Sequence, residues 1–437
     1  MEITLLLLFT LALFYCIFAD YSIIIALLFG FVLFFSYGLI KKHSFSEMLN
    51  LTKEGLKKSW KIAVIMGLIG CLAAIWRASG TIAYIVFYAS NVCIPSLILL
   101  MSFWSCAAVA FLLGTAIGTS ATMGIICMTL AASMQISPFL VGGAVLSGCY
   151  LGDICSPISS TLLLVTEVTK TSLFTNMKNV IKASFIPFVI ASILYLVLGL
   201  ISNVVAFNPS TGQIFADNFN LSHVTILPIA FMLLLSFFHF EVRRSLSVTV
   251  LLAIIIAVFW QGVSIWRIPG ILIFGFTPEN AELAQVIGGG GLVSMLRIIC
   301  IIVIVSCFSA FFEGTGFLNK IEKIVQNMSQ TANSFPTTLL VALFSSIISC
   351  NTTFCIMLTS QLCDANYEDK SALALDLENS AAAISPLIPW SVSCALPLKT
   401  IGAPKVSIIF AVYLITVPIY NLIRAKTRKN NKEIEMG

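Results

Sequence analysis

GCYLGDICSPISS, residues 148–160, sets one carboxylate, Asp153, among glycines, a proline and hydroxyls, with apolar sequence on both sides. The surroundings decide what such a stretch can be. The 437-residue chain is 59% hydrophobic and only 10% charged, whereas a soluble domain carries about 25% charged residues. That much apolar surface reads as a polytopic membrane protein. A helix rises about 1.5 Å per residue and crosses about 30 Å of hydrocarbon in roughly 20 residues. Windows at 3–19, 21–40, 94–113, 179–201, 223–240, 245–263, 294–312 and 403–423 meet that length. Long Leu/Ile/Phe runs predict an all-α bundle and not a β-barrel, with about 10–12 membrane segments in all.

Inside such a bundle, a charged Asp costs about 2.5–3.5 kcal/mol on insertion scales and usually faces a cavity on an ion or proton path. Burial favours the protonated carboxyl and a bound cation favours the ionised one, so a single carboxylate can exchange a proton for a metal ion. The alternative is that Asp153 caps a helix at the membrane interface, with Ser156 and Ser159 as local partners.

Charge sets the orientation. Lys41, Lys42, Lys53, Lys57, Lys58 and Lys61 fill a loop at 41–61, and Arg424, Lys426, Arg428, Lys429 and Lys432 fill the tail. Both face the cytoplasm by the positive-inside rule, as do the two chain ends. Juxtamembrane placement accounts for these runs without nucleic acid. The start, Met1-Glu2-Ile3-Thr4, lacks a basic n-region and reads as part of a retained helix. Lys170, Lys178 and Lys182 are inside; 202–222, without Lys or Arg, is outside; Arg243 and Arg244 are inside; the loop 264–293 is outside; and Lys320 and Lys323 are inside again.

Three segments recur in order at an offset of about 230–236 residues. RASGTI (77–82) resembles EGTGFL (313–318), and GTAIGTSAT (114–122) matches SIISCNTTF (346–354) as an interruption in apolar sequence. GDICSPISS (152–160) has its counterpart in SAAAISPLIPWS (380–391). They suggest a repeat of 61–201 against 294–424, between a 1–60 leader of two spans and a basic loop, a 202–293 linker with two spans, and a 425–437 tail. The first repeat begins inside and the second outside, so the two are inverted. Inverted repeats broken at matching positions point to a secondary transporter with its site at the breaks.

At each break, irregular backbone needs a protein or water partner. Thr119 and Ser120 in the first, and Asn351 and Thr352 in the second, offer oxygens and free backbone groups. The alternative is that small and hydroxyl residues there simply permit close helix packing. Segments 136–152 and 377–389 read as re-entrant hairpins meeting those breaks. Glu378 is the pseudo-symmetric partner of Asp153, with Asn379 and Ser385 beside it; Asp369 and Asp376 nearby instead suggest a polar loop. Glu167 either pairs with Lys170 at i,i+3 or points into the cavity as a proton relay. Arg77 and Glu313 read as capping or snorkelling groups. Lys399 and Lys405 either anchor at the interface or bind a substrate carboxylate.

The 13 cysteines form no Cys-x-x-Cys pair, and His43, His223 and His239 are far apart. Without a His-Glu-x-x-His or nucleophile motif, and without Gly-x-x-x-x-Gly-Lys-Ser/Thr, neither an intramembrane enzyme nor ATP drive is expected, and no cofactor is.

SGCYLGDICSPISST (147–161), ASGTIAYIVFY (78–88), GTAIGTSATMGI (114–125) and LENSAAAISPLIPWS (377–391) together resemble the NhaC family of sodium/proton antiporters, within the larger ion-transporter superfamily. The resemblance spans roughly 61–424. It implies inverted repeats with re-entrant hairpins and broken helices, a homodimer, a location in a bacterial-type inner membrane, and exchange of Na⁺ for H⁺ with Asp153 as a Na⁺ ligand. Some relatives couple these ions to malate and lactate, so a small organic anion or amino acid is the alternative substrate. Ile154 stands where many members have a basic residue, and Ser160 where many have an acid, which changes the charge of the site.

Overall fold

The computed structural model describes every residue except 20, 91–93, 203–214, 239, 241, 281–282, 285–286, 318–333, 350 and 437. His239, Lys320, Lys323 and most of the expected outer loop 202–222 therefore lie outside the described residues. Those described are helical apart from turns and one isolated antiparallel bridge, Phe276 to Gly289. The first half contains α1 (Glu2–Phe18), α2 (Ile23–Ile40), α3 (Phe45–Ala78), α4 (Thr81–Ser90), α5 (Ile98–Leu113), α6 (Ala116–Thr119), α7 (Ile125–Ser133), α8 (Pro138–Cys155), α9 (Ser160–Thr169) and α10 (Leu173–Ile201). Then come α11 (Leu227–Phe237), α12 (Val242–Phe259) and α13 (Ile268–Phe274). The second half contains α14 (Leu292–Thr315), α15 (Ser334–Ser349), α16 (Thr352–Cys363), α17 (Lys370–Leu377), α18 (Val392–Ile401) and α19 (Val412–Met436).

Among the described residues, five helices are long and apolar enough to cross a membrane alone: 23–40, 95–113, 138–155, 173–201 and 292–315. The other apolar helices run 10–17 residues, so full-length helices alone do not supply the 10–12 segments expected. Exposed Phe185, Ile193 and Leu200 on α10 and Leu251 and Ile255 on α12 give these helices the apolar outer face of a multi-pass membrane protein.

Three expectations change. The basic stretch 41–61 is not a loop. It is the first half of the 34-residue α3, started by a capping box in which Ser44 accepts from the Glu47 amide and Glu47 from the Ser44 amide. Residues 264–293 contain α13 within the expected loop. The segment 136–152 forms most of α8, a helix of 18 residues; the second hairpin segment belongs to an element bent by 54° between Leu387 and Val392.

Two extensive helix pairs organise the packing, α3 with α14 and α5 with α8. Both depend on glycine. A Cβ on Gly55 would lie 2.7 Å from the Cα of Cys307, and one on Gly70 2.6 Å from the carbonyl oxygen of Gly291. On α8, Gly148 and Gly152 form a small-xxx-small stripe that lets α5 approach; added Cβ atoms would sit 2.3 Å from the Phe103 oxygen and 2.1 Å from the Ala107 oxygen. Edge-to-face rings of Phe9, Phe34 and Phe308 join α1 and α2 to α14. The Tyr195 hydroxyl on α10 ties distant segments together, lying 2.8 Å from Ser147 Oγ and 2.8 Å from the Phe410 oxygen, and accepting from the Val412 amide at 3.1 Å.

Candidate functional site

Among the described residues, four helix breaks surround one region, and they come in two matched pairs. Helix α5 ends at Gly114 in the left-handed region, φ 63°, where an L side chain is strained. Thr115 then turns extended and caps α6, accepting from the Gly118 amide. In the second half Asn351 is likewise extended and caps α16, accepting from the Phe354 amide at 2.8 Å. The second pair follows the two Ser-Pro motifs. Helix α8 stops at Ser156, before Pro157, and Ser159 caps α9 by accepting from Thr161 and Leu162. Ser391 caps α18 in the same way, accepting from Ser393. Each cap satisfies amide donors that a helix start leaves open.

Asp153 sits in the last turn of α8 and is 5% exposed. Ser159 Oγ donates to its Oδ1 at 2.8 Å, and Thr161 Oγ1 lies 3.5 Å from Oδ2. The amide of Ala116, at the start of α6, points to the same carboxylate. The carboxylate thus faces one helix start and the cap of another, where backbone dipoles favour negative charge. It lines a cavity of about 600 Å³. Thr115 and Gly118 from the first break, and Asn351 and Thr352 from the second, line it too, with Tyr150, Thr161 and Ser393. The far wall is mostly apolar: Ile65, Met66 and Ile69 from α3, and Ile302 and Val305 from α14, with Glu313 at the rim. The cavity therefore lies where the α3–α14 pair faces the broken helices.

A hydroxyl network continues from the second break. Thr352 Oγ1 lies 2.6 Å from Ser393 Oγ and 3.1 Å from Ser385 Oγ, the Thr352 amide donates to Ser393 Oγ at 3.2 Å, and the Tyr150 hydroxyl donates to the Ser393 carbonyl at 2.6 Å.

The structure thus brings Asp153, Ser159, Asn351, Thr352 and Ser385 into one connected region. Of the other residues singled out in the sequence, Ser160 and Glu313 also line the cavity and the rest do not. Ser156 Oγ donates to the Phe111 carbonyl at 2.7 Å and fastens the end of α8 to α5. Thr119 and Ser120 turn back onto carbonyls of their own helix, Thr115 at 2.9 Å and Ile117 at 2.8 Å. Glu167 and Lys399 are exposed and do not line the cavity. Glu378 and Asn379 are fully buried within a π turn, Glu378–Ala382, and not in a polar loop. Glu378 lies within electrostatic reach of Asp153 without touching it. Asp369 caps α17, and Asp376 accepts from the Tyr367 hydroxyl at 2.6 Å. Sequence reasoning missed Thr161 and Ser393, although each follows a capping serine by two residues, in SST (159–161) and SVS (391–393). It also missed Glu313 as a cavity residue.

A sequence model described as the Na⁺/H⁺ antiporter family matches residues 2–148 and 148–424. The chain is 26% identical over 381 residues to the Na(+)/H(+) antiporter NhaC of Alkalihalophilus pseudofirmus, covering 85% of this chain and 82% of that one. It is 25% identical over 391 residues to the malate-2H(+)/Na(+)-lactate antiporter of Bacillus subtilis, covering 86% and 83%. It is 25% identical over 398 residues to the arginine/ornithine antiporter ArcD of Halobacterium salinarum, covering 85% and 80%. The chain belongs to the Na⁺/H⁺ antiporter family and, within it, to the NhaC-type members.

Proposed function

We propose that the protein is a secondary Na⁺/H⁺ antiporter in which the two ions take turns on Asp153. One observation carries this reading: a single buried carboxylate stands at the meeting point of helix breaks and opens onto a cavity. Protonated, the carboxyl is neutral; with Na⁺ bound, the pair is again neutral. Both loaded states can be occluded without a naked charge, whereas the empty carboxylate resists leaving contact with water. Hydroxyl oxygens of Thr161 and Thr352 and the side-chain oxygen of Asn351 are available around the same space.

The position of the cavity supports alternating access. The α3–α14 pair presents an aliphatic wall, and the broken helices carry the polar groups. Moving the second body against the first exposes Asp153 to either side. The paired caps, Thr115 with Asn351 and Ser159 with Ser391, support two repeats at 61–201 and 294–424. With the charge distribution, they favour an inverted arrangement, chain ends in the cytoplasm and placement in a cell membrane.

A second reading has its own support. A cavity of about 600 Å³ falls in the range that holds small organic ligands, far more than a sodium ion fills. Two of the relatives above are named for lactate and malate or for amino acids, so an organic ion moving with Na⁺ or H⁺ is the alternative. The test is proton movement in proteoliposomes containing an internal pH dye. Na⁺, then Li⁺ or K⁺, then malate, lactate and arginine are added, for the wild type and Asp153→Asn. A Na⁺-evoked pH change lost in Asp153→Asn is expected. A response to organic ions alone discards the Na⁺/H⁺ reading in favour of the second.

A further inference from the structure

At the start of α12, two cations and a hydroxyl meet at one end of an apolar groove of about 450 Å³. Arg243 and Arg244 are exposed and both line it. Ser245 lines it too, is 2% exposed, and its Oγ has no hydrogen-bond partner. A buried hydroxyl left open costs stability until something completes it. The first turn of this 18-residue helix also presents open amide donors and the positive end of the helix dipole. Among the described residues that line the groove none is acidic, and the two arginines outnumber the single acid of the stretch, Glu241. Cations, open amides and an unpartnered hydroxyl together suit an oxyanion such as a phosphate.

The rest of the groove decides what carries that anion. Val64 and Leu68 of α3 form one wall, Leu235 of α11 another, and Phe240 and Val248 complete it. Val248 also belongs to a second apolar groove, of about 530 Å³, which runs between Phe231 and Leu234 of α11 and Leu251 and Ile255 of α12. Those four side chains are exposed. From Ser245 to Ile255 the helix rises about 15 Å at 1.5 Å per residue, and one leaflet holds about 15 Å of hydrocarbon, half of the bilayer's 30 Å. Trp60, 69% exposed, stands about one turn before Val64 on α3, and Trp favours headgroup depth. Lipid tails cover any apolar outer face. This one differs in its charged end, and basic pockets between membrane helices take anionic headgroups. A soluble anion would use the charged end and leave the trough bare; a lipid without net charge would do the reverse.

We propose that an anionic phospholipid binds here, with its phosphate on Arg243, Arg244 and the Ser245 hydroxyl and one acyl chain laid along α11 and α12. It fastens the α11–α12 pair to α3. On α3 the groove uses Val64 and Leu68, whereas the Asp153 cavity uses Ile65, Met66 and Ile69. The two sites are separate, and the lipid site does not depend on what the protein transports.

The melting temperature of the purified full-length protein in a neutral detergent tests it, with added phosphatidylglycerol, with phosphatidylcholine of the same chains, and with inorganic phosphate. Phosphatidylglycerol is expected to raise the melting temperature and the other two to leave it. The Arg243→Gln, Arg244→Gln double variant is expected to need at least tenfold more phosphatidylglycerol for the same rise, since each cation near a membrane surface is worth on the order of fivefold. Ser245→Ala is expected to melt no lower than the wild type without lipid, because its hydroxyl has no partner to lose, and yet to lose part of the rise. No rise with phosphatidylglycerol, or an undiminished rise in both variants, overturns the proposal. An equal rise with phosphatidylcholine reduces the groove to ordinary contact with lipid tails, and an equal rise with inorganic phosphate assigns it to a soluble anion; either overturns the lipid. Native mass spectrometry of the same samples is expected to retain phosphatidylglycerol on the wild type and to lose it from the double variant. A dimer that retains no lipid and falls apart in Leu251→Asn places a second copy in the trough and overturns the proposal. Should the double variant not fold, the wild-type comparisons and Ser245→Ala decide.

Discussion

Gly152→Ala adds one methyl group beside Asp153 and leaves every polar group of the site in the sequence. Its Cβ would lie 2.1 Å from the Ala107 oxygen, 2.6 Å from the Ala110 Cβ and 2.7 Å from the Phe111 nitrogen. Two of these are backbone atoms of α5, which no side-chain torsion can move aside. Helices α5 and α8 must part by roughly 1 Å to restore van der Waals contact, and overpacking of this kind costs about 1–3 kcal/mol. Asp153 travels with α8, whereas Ser159 and Thr161 belong to the α9 end and Ala116 to α6. The 2.8 Å bond from Ser159 then lengthens or bends. Misplacing a reacting group by about 1 Å can cost on the order of 100-fold in rate. The assay pairs thermal unfolding of the purified protein with initial rates of Na⁺-driven proton movement in liposomes. Gly270→Ala is the control, since nothing lies within 4 Å of its added Cβ. Gly152→Ala is expected to melt earlier and to transport at least tenfold more slowly, while Gly270→Ala keeps both values. A Gly152→Ala protein with unchanged melting and rate refutes the claim that α5 contact positions the carboxylate.

Ser159→Ala removes both the cap of α9, worth about 1 kcal/mol, and a donor to the carboxylate, so stability and transport should both fall; Ser159→Thr should restore both, and a failure to restore either would assign the serine a role other than capping and donation. If the two ions compete for Asp153, the apparent KM for Na⁺ rises as pH falls, by up to roughly tenfold per unit, and a KM flat with pH in uptake measurements contradicts the competition. Glu167→Gln is expected to leave the transport rate and its pH profile unchanged, because the side chain is exposed on α9; a displaced profile would place it on the proton path after all.

Much of the helical plan was legible because lipid imposes length and composition. The windows 21–40 and 94–113 fall on Ile23–Ile40 and Pro95–Leu113 almost to the residue. The breaks were legible because Gly114 and Asn351 suit backbone that helices avoid. The far wall of the cavity was not, since Ile65, Met66 and Val305 are the residues that would also face lipid, and hydropathy cannot tell a cavity from a bilayer. The basic stretch 41–61 was misread by its charge, although Ser44-x-x-Glu47 is a helix-start signature. Glu378 was obscured by Asp369 and Asp376, whose charges are absorbed locally by the α17 start and by Tyr367. Thr119 and Ser120 carried the right chemistry, but a helical hydroxyl can always bond the carbonyl one turn back, and here both do.

The Tyr195 hydroxyl has a consequence for how the chain is made. Its partners at Ser147 and at Phe410–Val412 lie far apart along the chain, and Tyr413 adds a bond to Ser184. During synthesis α8 and α10 emerge long before residues 410–413. Until that last segment arrives, Ser147 and Tyr195 wait in the membrane without some of their final partners, Ser147 on the same helix as Asp153. Assembly therefore closes from the C-terminal end backwards. A chain stopped before residue 410 would hold α8 and α10 whole and still lack these partners that lock them in place.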